Sequence, residues 1–519
     1  MSIMSCENLS KLMFKNEIPT PQQLEERFPP RNLPEGAAVT RFAPSPTGFM
    51  HIGNVLGAFV DRLLATQSKG VFFLRLEDTD KKREVADGVS AILEGLAALN
   101  ITLDEGVIAP DEAQGDYGPY TQSQRCEIYH AYAKQLLEQG LAYPCFCTAD
   151  ELTALRETQE QAGENPGYYG KWAKCRGLSE EEQTRRLEAG ESYTLRLRSP
   201  GDASRKVIIN DLIRGKLELP EYDMDVVLLK ADGIPTYHFA HAIDDHLMRV
   251  THVVRGDEWL ATLPLHMQLF GLLGFRPPKY AHIAPLMKQD PETGGKRKLS
   301  KRKDPEAAVS FFTAQGYPAA AIAEYLLTLL NSNFEEWRRP NPDALLSAFP
   351  FSLKKMSASG ALFDLQKLED ISKNVISRMS AGEVYAQALA WAREHNPELA
   401  TRLSRDEAYA TAMFAIDRGG KKPRKDIARW DQVQEVYAYF FQAPPFEDNE
   451  ILQQYREIYA YADGKETWFA NIKANCGDVP VRDYCGAIRV AITGRENTPD
   501  LWAIMQVLGE DEVLRRLRR

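Results

Sequence analysis

The sequence predicts an α/β fold built on a parallel sheet, interrupted by an inserted domain and followed by an all-α C-terminal region. Near the N-terminus a strand, a turn rich in Pro and Gly, a helix and a second strand follow one another. A second group of apolar strand candidates begins only after roughly a hundred residues of different texture, which implies an insertion. From about residue 305 onward apolar residues recur at helical spacing.

In chain order, residues 1–35 form a polar extension ending in the Pro-rich stretch Pro29–Pro34, most simply a surface arm. Ala38–Ala43 alternates like a strand, and the turn Pro44-Ser45-Pro46-Thr47-Gly48 follows. Leu56, Phe59, Val60, Leu63 and Leu64 then recur at helical spacing, and Val71–Leu76 is a second apolar run. Such runs suit strands buried on both faces of a parallel sheet, joined by a crossing helix. The second cluster comprises Asp225–Leu229, Val250–Val254 and Tyr280–Ala284, with a helical stretch from Trp259 to Leu273. In the helical tail, Ser380-Ala381-Gly382-Glu383 has capping-box spacing ahead of Val384, Ala388 and Trp391.

A chain of 519 residues exceeds what one core supports, so several domains are expected. With 44% hydrophobic and 26% charged residues it reads as globular. The absence of a long apolar run and of an apolar leader argues against membrane spans and a secretory signal, so the expected location is the cytoplasm. Seven cysteines, unevenly spread, do not make a disulfide framework, and clustered ones suggest a metal. A net charge of −10 does not exclude a nucleic-acid partner, because phosphates respond to local basic patches.

The first chemical feature is the run from Arg41 to Asn54, which contains His51-Ile52-Gly53-Asn54 at a strand-to-helix junction. A helix N-terminus offers unpaired N–H groups to phosphate, and Gly53 removes a side chain where a nucleotide must come close. His51 can donate to charge building up on a phosphoryl group, although a tight turn with a capping histidine reads the same way. The second is Gly294-Gly295-Lys296-Arg297-Lys298-Leu299-Ser300-Lys301-Arg302-Lys303, where Lys298 and Lys301 could fold over a triphosphate. Alone, it also reads as a solvated basic loop. Together, His51–Asn54 and Lys298–Arg302 resemble the paired nucleotide motifs of class I aminoacyl-tRNA synthetases.

An amino-acid pocket needs cations for carboxylates and an anion for the ammonium. Arg41 and Arg255 are suitable carboxylate partners, and Glu77-Asp78-Thr79-Asp80 supplies a carboxylate for the ammonium, though each could be an ordinary ion pair. With Gly118–Ser123, Pro235–Ala240, Asp244–Met248 and Val253–Trp259, these stretches resemble the bacterial-type glutamyl-tRNA synthetase family over residues 37–375, and more loosely beyond.

That resemblance implies a Rossmann-like catalytic domain in two halves (36–118 and 233–290), an inserted acceptor-stem-binding domain (119–232) and a stem-contact domain with a mobile Lys298–Arg302 loop (291–375). A helical anticodon-binding domain (376–519) completes it. It implies ATP-dependent attachment of L-glutamate to tRNA(Glu) through glutamyl-adenylate, with Mg²⁺ accompanying ATP and a monomeric enzyme. The implied glutamate contacts are Arg41, Ala43, Ser45, Glu77, Tyr237, His241 and Arg255; the implied ATP contacts are His51, Gly53, Asn54, Glu258, Leu286, Lys298 and Lys301. His51, Asn54, Lys298 and Lys301 are the expected catalytic residues. His241 departs from many relatives, which carry Asn there; either side chain can hydrogen-bond the substrate.

Cys145-Phe146-Cys147 and Cys175 could ligate one structural Zn²⁺, with Tyr169 or Tyr168 as the fourth group, or be three small buried hydrophobes. The basic run Arg418–Arg429 could meet tRNA phosphates or be a solvated loop. Trp430, Tyr437, Tyr439, Phe440 and Trp468 could stack on anticodon bases, but their helical spacing favours a core. Rival readings are an enzyme that also glutamylates tRNA(Gln), a glutaminyl enzyme, a truncated relative that modifies a tRNA(Asp) base, and a non-catalytic RNA-binding paralogue.

Overall fold

The computed structural model describes residues 3–46, 48, 50–80, 85–300, 302–420, 423–445 and 464–517. They form two compact units, Met1–Val309 with Leu327–Phe363, and Ser310–Leu326 with Asp364–Arg519.

In the first unit, β1 (Val39–Phe42), β2 (Val71–Leu74) and β3 (Glu105–Ala109) run parallel, and β4 (Glu112–Gln114) closes that edge antiparallel to β3. All four residues of β1 are buried, as expected for a strand covered on both faces. The helix Ile52–Ser68 connects β1 to β2 and buries Ile52, Val55, Leu56, Phe59, Val60 and Leu63, a stripe at helical spacing. It ends on Lys69 in the left-handed conformation, φ 56°. Gly70 then permits the return to the sheet, since a Cβ there would lie 1.9 Å from the Ala38 carbonyl oxygen.

Next come β5 (Ala142–Cys145), β6 (Thr194–Leu197), β7 (Lys206–Asp211), β8 (Gly215–Pro220) and β9 (Val227–Leu229). β5, β6 and β9 form an antiparallel sheet, and β7 with β8 a hairpin. This corrects one sequence expectation: β9 belongs to the sheet inside the insertion, not to the second half of the parallel sheet. A short apolar run does not reveal its partner strand.

The parallel sheet resumes with β10 (His252–Gly256) and β11 (Lys279–Ile283), which pair in parallel. The Thr251 N–H donates to the Val39 carbonyl (3.0 Å), joining the start of β10 to the start of β1, while the far ends of both line one cleft. The order is therefore β3-β2-β1-β10-β11, the doubly wound arrangement of a Rossmann-like domain, with its switch point between β1 and β10. β12 (Met287–Gln289) and β13 (Lys296–Lys298) follow as an antiparallel pair.

Residues 3–35 are not a free arm. The helices Ile3–Met13 and Pro21–Arg27 bury Leu9 and Leu24, Phe28 is buried after them, and Arg31 grips Glu105 with two bonds of 2.7 and 2.9 Å. Arg31 also lies over the Tyr117 ring at 3.8 Å. Composition hides this docking, because a few anchors suffice in a polar segment.

The second unit has helices and turns and, among the described residues, no strand. Ser380 makes the expected capping box at the start of the helix Ala381–His395. The helix Leu365–Arg378 lies in this unit.

Candidate active site

A cleft of about 1090 Å³, including its solvent-open part, sits beyond the C-terminal ends of β1 and β10. Open α/β sheets take ligands at such a switch point, because neighbouring connections diverge to opposite faces there. Eleven expected residues line it: Arg41, Ala43, His51, Gly53, Asn54, Glu77, Tyr237, Arg255, Glu258, Leu286 and Lys298. Two others do not, since Ser45 is exposed and His241 is fully buried. Lys301 lies outside the described residues.

His51 is the N-cap of the helix Ile52–Ser68, and its Nδ1 accepts from the Gly53 N–H at 2.9 Å. With Nδ1 accepting, the ring proton sits on Nε2, at the positive end of the helix. A Cβ on Gly53 would come within 3.0 Å of His51 Nδ1, so glycine also makes room for the imidazole.

Beneath the cleft lies a buried charge network. Asp245 accepts from Arg75 Nη1 (2.6 Å) and faces Arg41 Nε (3.3 Å); Asp244 accepts from Arg125 Nε (2.7 Å), Gln122 (2.9 Å) and Tyr129 (2.8 Å). Arg75 Nη2 reaches Glu77 at 3.1 Å. Arg41 is thus already paired. Burial raises the Glu77 carboxyl to about 7, against the pull of Arg75 and Arg41. Burial likewise lifts Asp61, whose Oδ1 has no hydrogen-bond partner among the described residues, well above the carboxylate range. Sequence reading placed Arg75, Asp244 and Asp245 within family-like motifs without a role; Asp61 carried no signal.

Arg255 is held differently. Its Nε donates to His282 Nε2 and its Nη1 to His266 Nδ1, both at 3.0 Å. Burial lowers the pKa of both histidines, so they are neutral acceptors. Among the described residues no carboxylate pairs with Arg255, and its Nη2 is buried without a partner. Rings pack around it, with Tyr280 at 4.8 Å and Trp259 at 6.0 Å.

His241 sits behind the cleft wall, stacked on Tyr237 at 5.7 Å and bonded through Nε2 to the Tyr280 hydroxyl at 3.1 Å. This corrects the expected direct contact: the neutral, deeply buried ring supports Tyr237 instead. Its Nδ1 lies 3.1 Å from Asp245 Oδ2. Burial pushes the Tyr237 phenol up to about 12, keeping it a neutral donor.

Opposite His51, Lys298 is exposed, with Nζ 4.0 Å from Glu258. Asp304 anchors the loop at its base: it accepts from Arg297 at 2.6 and 2.7 Å and from the Ser300 N–H at 2.9 Å. Sequence reading did not single out Asp304; an acid among six basic residues was the available signal.

In the insertion, the sulfurs of Cys145, Cys147 and Cys175 lie within 4.8 Å of one another. The Tyr168 hydroxyl is 3.5 Å from Cys145 and 3.3 Å from Cys147. The Tyr169 hydroxyl is engaged elsewhere, donating to the Asn165 carbonyl at 2.8 Å. The hydrogen bond from Cys175 holds Cys145 far below the usual thiol range, while burial raises Cys147.

In the second unit three arginines of the basic run are held by the protein itself, while Lys425 is exposed. Arg418 donates to the Ile376 carbonyl at 2.6 Å, Arg424 is buried over the Tyr437 ring at 4.3 Å, and Arg429 pairs with Asp431 at 3.1 Å. Lys421 and Lys422 lie outside the described residues. Trp430, Tyr437, Tyr439, Phe440 and Trp468 are buried in the helical core, which removes them as stacking platforms.

The fold and cleft correspond to a nucleotide-using α/β enzyme, and similarity to known proteins sharpens that class. Residues 37–369 match the catalytic-domain family "tRNA synthetases class I (E and Q)", and residues 427–519 match an anticodon binding domain family. The chain is 47% identical to the glutamate–tRNA ligase of Clostridium perfringens strain 13, covering 99% of this chain and 100% of that protein. It is also 47% identical to that of Acetivibrio thermocellus, with the same coverage. The crystal structure of a glutamate tRNA ligase from Elizabethkingia meningosepticum, in complex with its amino acid, superposes with a TM-score of 0.77 at 28% identity, covering 93% of this chain and 98% of that one. The chain belongs to the bacterial-type class I glutamate–tRNA ligases. Among the described residues no helix is long and apolar enough to cross a membrane.

Proposed function

We propose that the cleft binds L-glutamate and ATP side by side and joins them as glutamyl-adenylate before passing the glutamyl group to tRNA(Glu). The observation that carries the amino-acid part is Arg255, a buried guanidinium with neutral histidine acceptors and an unpartnered Nη2. A side-chain carboxylate would satisfy both its charge and its hydrogen bond, whereas the neutral amide of glutamine would leave the charge uncompensated. Arg41, paired to Asp245, adds positive potential, Tyr237 a neutral donor, and Glu77 the anion for the ammonium. His51, the helix end with Gly53 and Asn54, and Lys298 surround the phosphates, with Glu258 and Leu286 around the nucleoside.

In the first step a glutamate α-carboxylate oxygen attacks the α-phosphorus, and the bond to the bridging oxygen breaks as pyrophosphate leaves. His51 Nε2–H and Lys298, joined by Lys301, stabilise the charge on the phosphoryl oxygens, so catalysis rests on positioning and electrostatics. ATP arrives as its Mg²⁺ complex, which neutralises phosphate charge. In the second step a ribose hydroxyl of the terminal adenosine attacks the carbonyl carbon, loses its proton, and AMP departs.

The three thiols and Tyr168 suit a structural Zn²⁺. Bonds of about 2.3 Å place tetrahedral sulfurs roughly 3.8 Å apart, and Cys147 and Cys175 are separated by 3.6 Å. The ion would tie β5 to the segment around Cys175.

Charging assays with glutamate and glutamine against tRNA(Glu) and tRNA(Gln) test the reading. Glutamylation of tRNA(Glu) is expected. Charging with glutamine would overturn the amino-acid assignment, failure to glutamylate tRNA(Glu) would overturn the tRNA assignment, and glutamylation of both tRNAs would identify the enzyme that also serves tRNA(Gln).

A further inference from the structure

Arg255 is oriented from outside the catalytic sheet. Because a guanidinium only donates, His282 Nε2 must accept, so the neutral ring carries its proton on Nδ1. That Nδ1–H donates to Asp211 Oδ2 at 2.7 Å, and the His282 backbone N–H donates to the same oxygen at 3.1 Å. Asp211 ends β7, at the tip of the hairpin carried by the insertion. Its Oδ1 accepts the N–H groups of Ile213 (2.9 Å) and Arg214 (2.8 Å), fixing the turn. The tip is locked to the sheet on either side of His282: the Leu212 N–H donates to the Tyr280 carbonyl at 2.8 Å, and Arg214 pairs with Asp257 at 2.8 Å. Burial alone would raise the Asp211 carboxyl, but the bonds from His282, Arg214 and Ile213 outweigh it and hold it ionised.

We propose that Asp211 is a positioning residue for glutamate: through His282 it fixes the plane and charge presentation of Arg255, so the hairpin of the insertion sets amino-acid affinity. This rests on the reading of Arg255 as the carboxylate partner. An asparagine at 211 keeps Oδ1 for the turn but turns Oδ2 into a donor. His282 Nδ1 must then accept, its proton moves to Nε2, and two donors face each other at Arg255 Nε.

The full-length enzyme is assayed by tRNA-supported ATP–pyrophosphate exchange, with thermal melting alongside. Asp211→Asn should raise the KM for glutamate about ten- to a hundredfold, the scale of one charge-assisted hydrogen bond, with the KM for ATP within about twofold. His282 variants separate positioning from mere support: a Gln carbonyl can reach the Nε2 position and accept from Arg255, whereas Asn reaches only the Asp211 side. His282→Asn should therefore raise the glutamate KM at least about fivefold more than His282→Gln. Should Asp211→Asn fail to fold, this pair decides. Arg255→Gln is the control. If it leaves the glutamate KM unchanged, the reading of Arg255 fails; if it raises KM while Asp211→Asn does not, or while the two His282 variants behave alike, the positioning role is overturned.

Discussion

Lowering the pH from about 8 to 6 should raise the KM for glutamate roughly tenfold, through Glu77. The carboxyl is buried at 7% exposure, and burial outweighs Arg75 at 3.1 Å, setting its pKa at about 7. Only the ionised form holds the substrate ammonium, so the proton competes with glutamate. With a pKa of about 7 the site is roughly 90% ionised at pH 8 and about 10% ionised at pH 6, and the apparent KM scales inversely with that fraction. The substrate's own side-chain carboxyl ionises near 4.3, below this window. Pyrophosphate exchange at saturating Mg-ATP, across about pH 5.5 to 8.5, measures the profile; Glu77→Gln should have a high, flat KM. A wild-type KM independent of pH, or a Glu77→Gln profile that keeps the tenfold slope, would refute the assignment. The same shift has a stability consequence. The folded state holds the Glu77 proton more tightly than the unfolded chain, so this contribution is present below the unfolded value of 4.5 and is lost as pH rises through about 7. Glu77→Gln should flatten melting temperature against pH in that window.

Replacing His51 with Ala should lower the adenylation rate by about 10²–10³ while the glutamate KM changes little, since it removes one preorganised donor; an unchanged rate in single-turnover quench would exclude its role at the phosphates. Elemental analysis should find one zinc per chain, and Cys175→Ser should lose it and destabilise the insertion, read by limited proteolysis; a wild-type chain purified without zinc would show the thiols to be packing groups. Trp430→Ala in the helical core should cost about 3–5 kcal/mol in urea unfolding, whereas a loss of charging without loss of stability would restore it as an RNA contact.

The part of the cleft around His51 was legible in the sequence because it is local: strand end, turn, His51 and Gly53 lie within a dozen or so residues, at the start of a helix of the kind proposed above to face phosphates. The parallel sheet and helical tail were legible for the same reason, through spacing. Pairing across long separations was not. The network of Arg41, Arg75 and Asp245 joins residues some 170 to 204 positions apart, and only its burial shows that Arg41 is already paired. The sequence determined which side chains are available: two arginines, a glutamate, a tyrosine and a histidine able to serve glutamate and ATP. Tertiary structure decided their surroundings, placing His241 behind Tyr237, holding Arg418, Arg424 and Arg429 against the second unit, and setting Tyr168 rather than Tyr169 beside the thiols. It alone gave Arg255 neutral histidines instead of a carboxylate. Charge and hydrogen-bond satisfaction depend on which donors and acceptors meet inside a low-dielectric interior, and chain order does not record that.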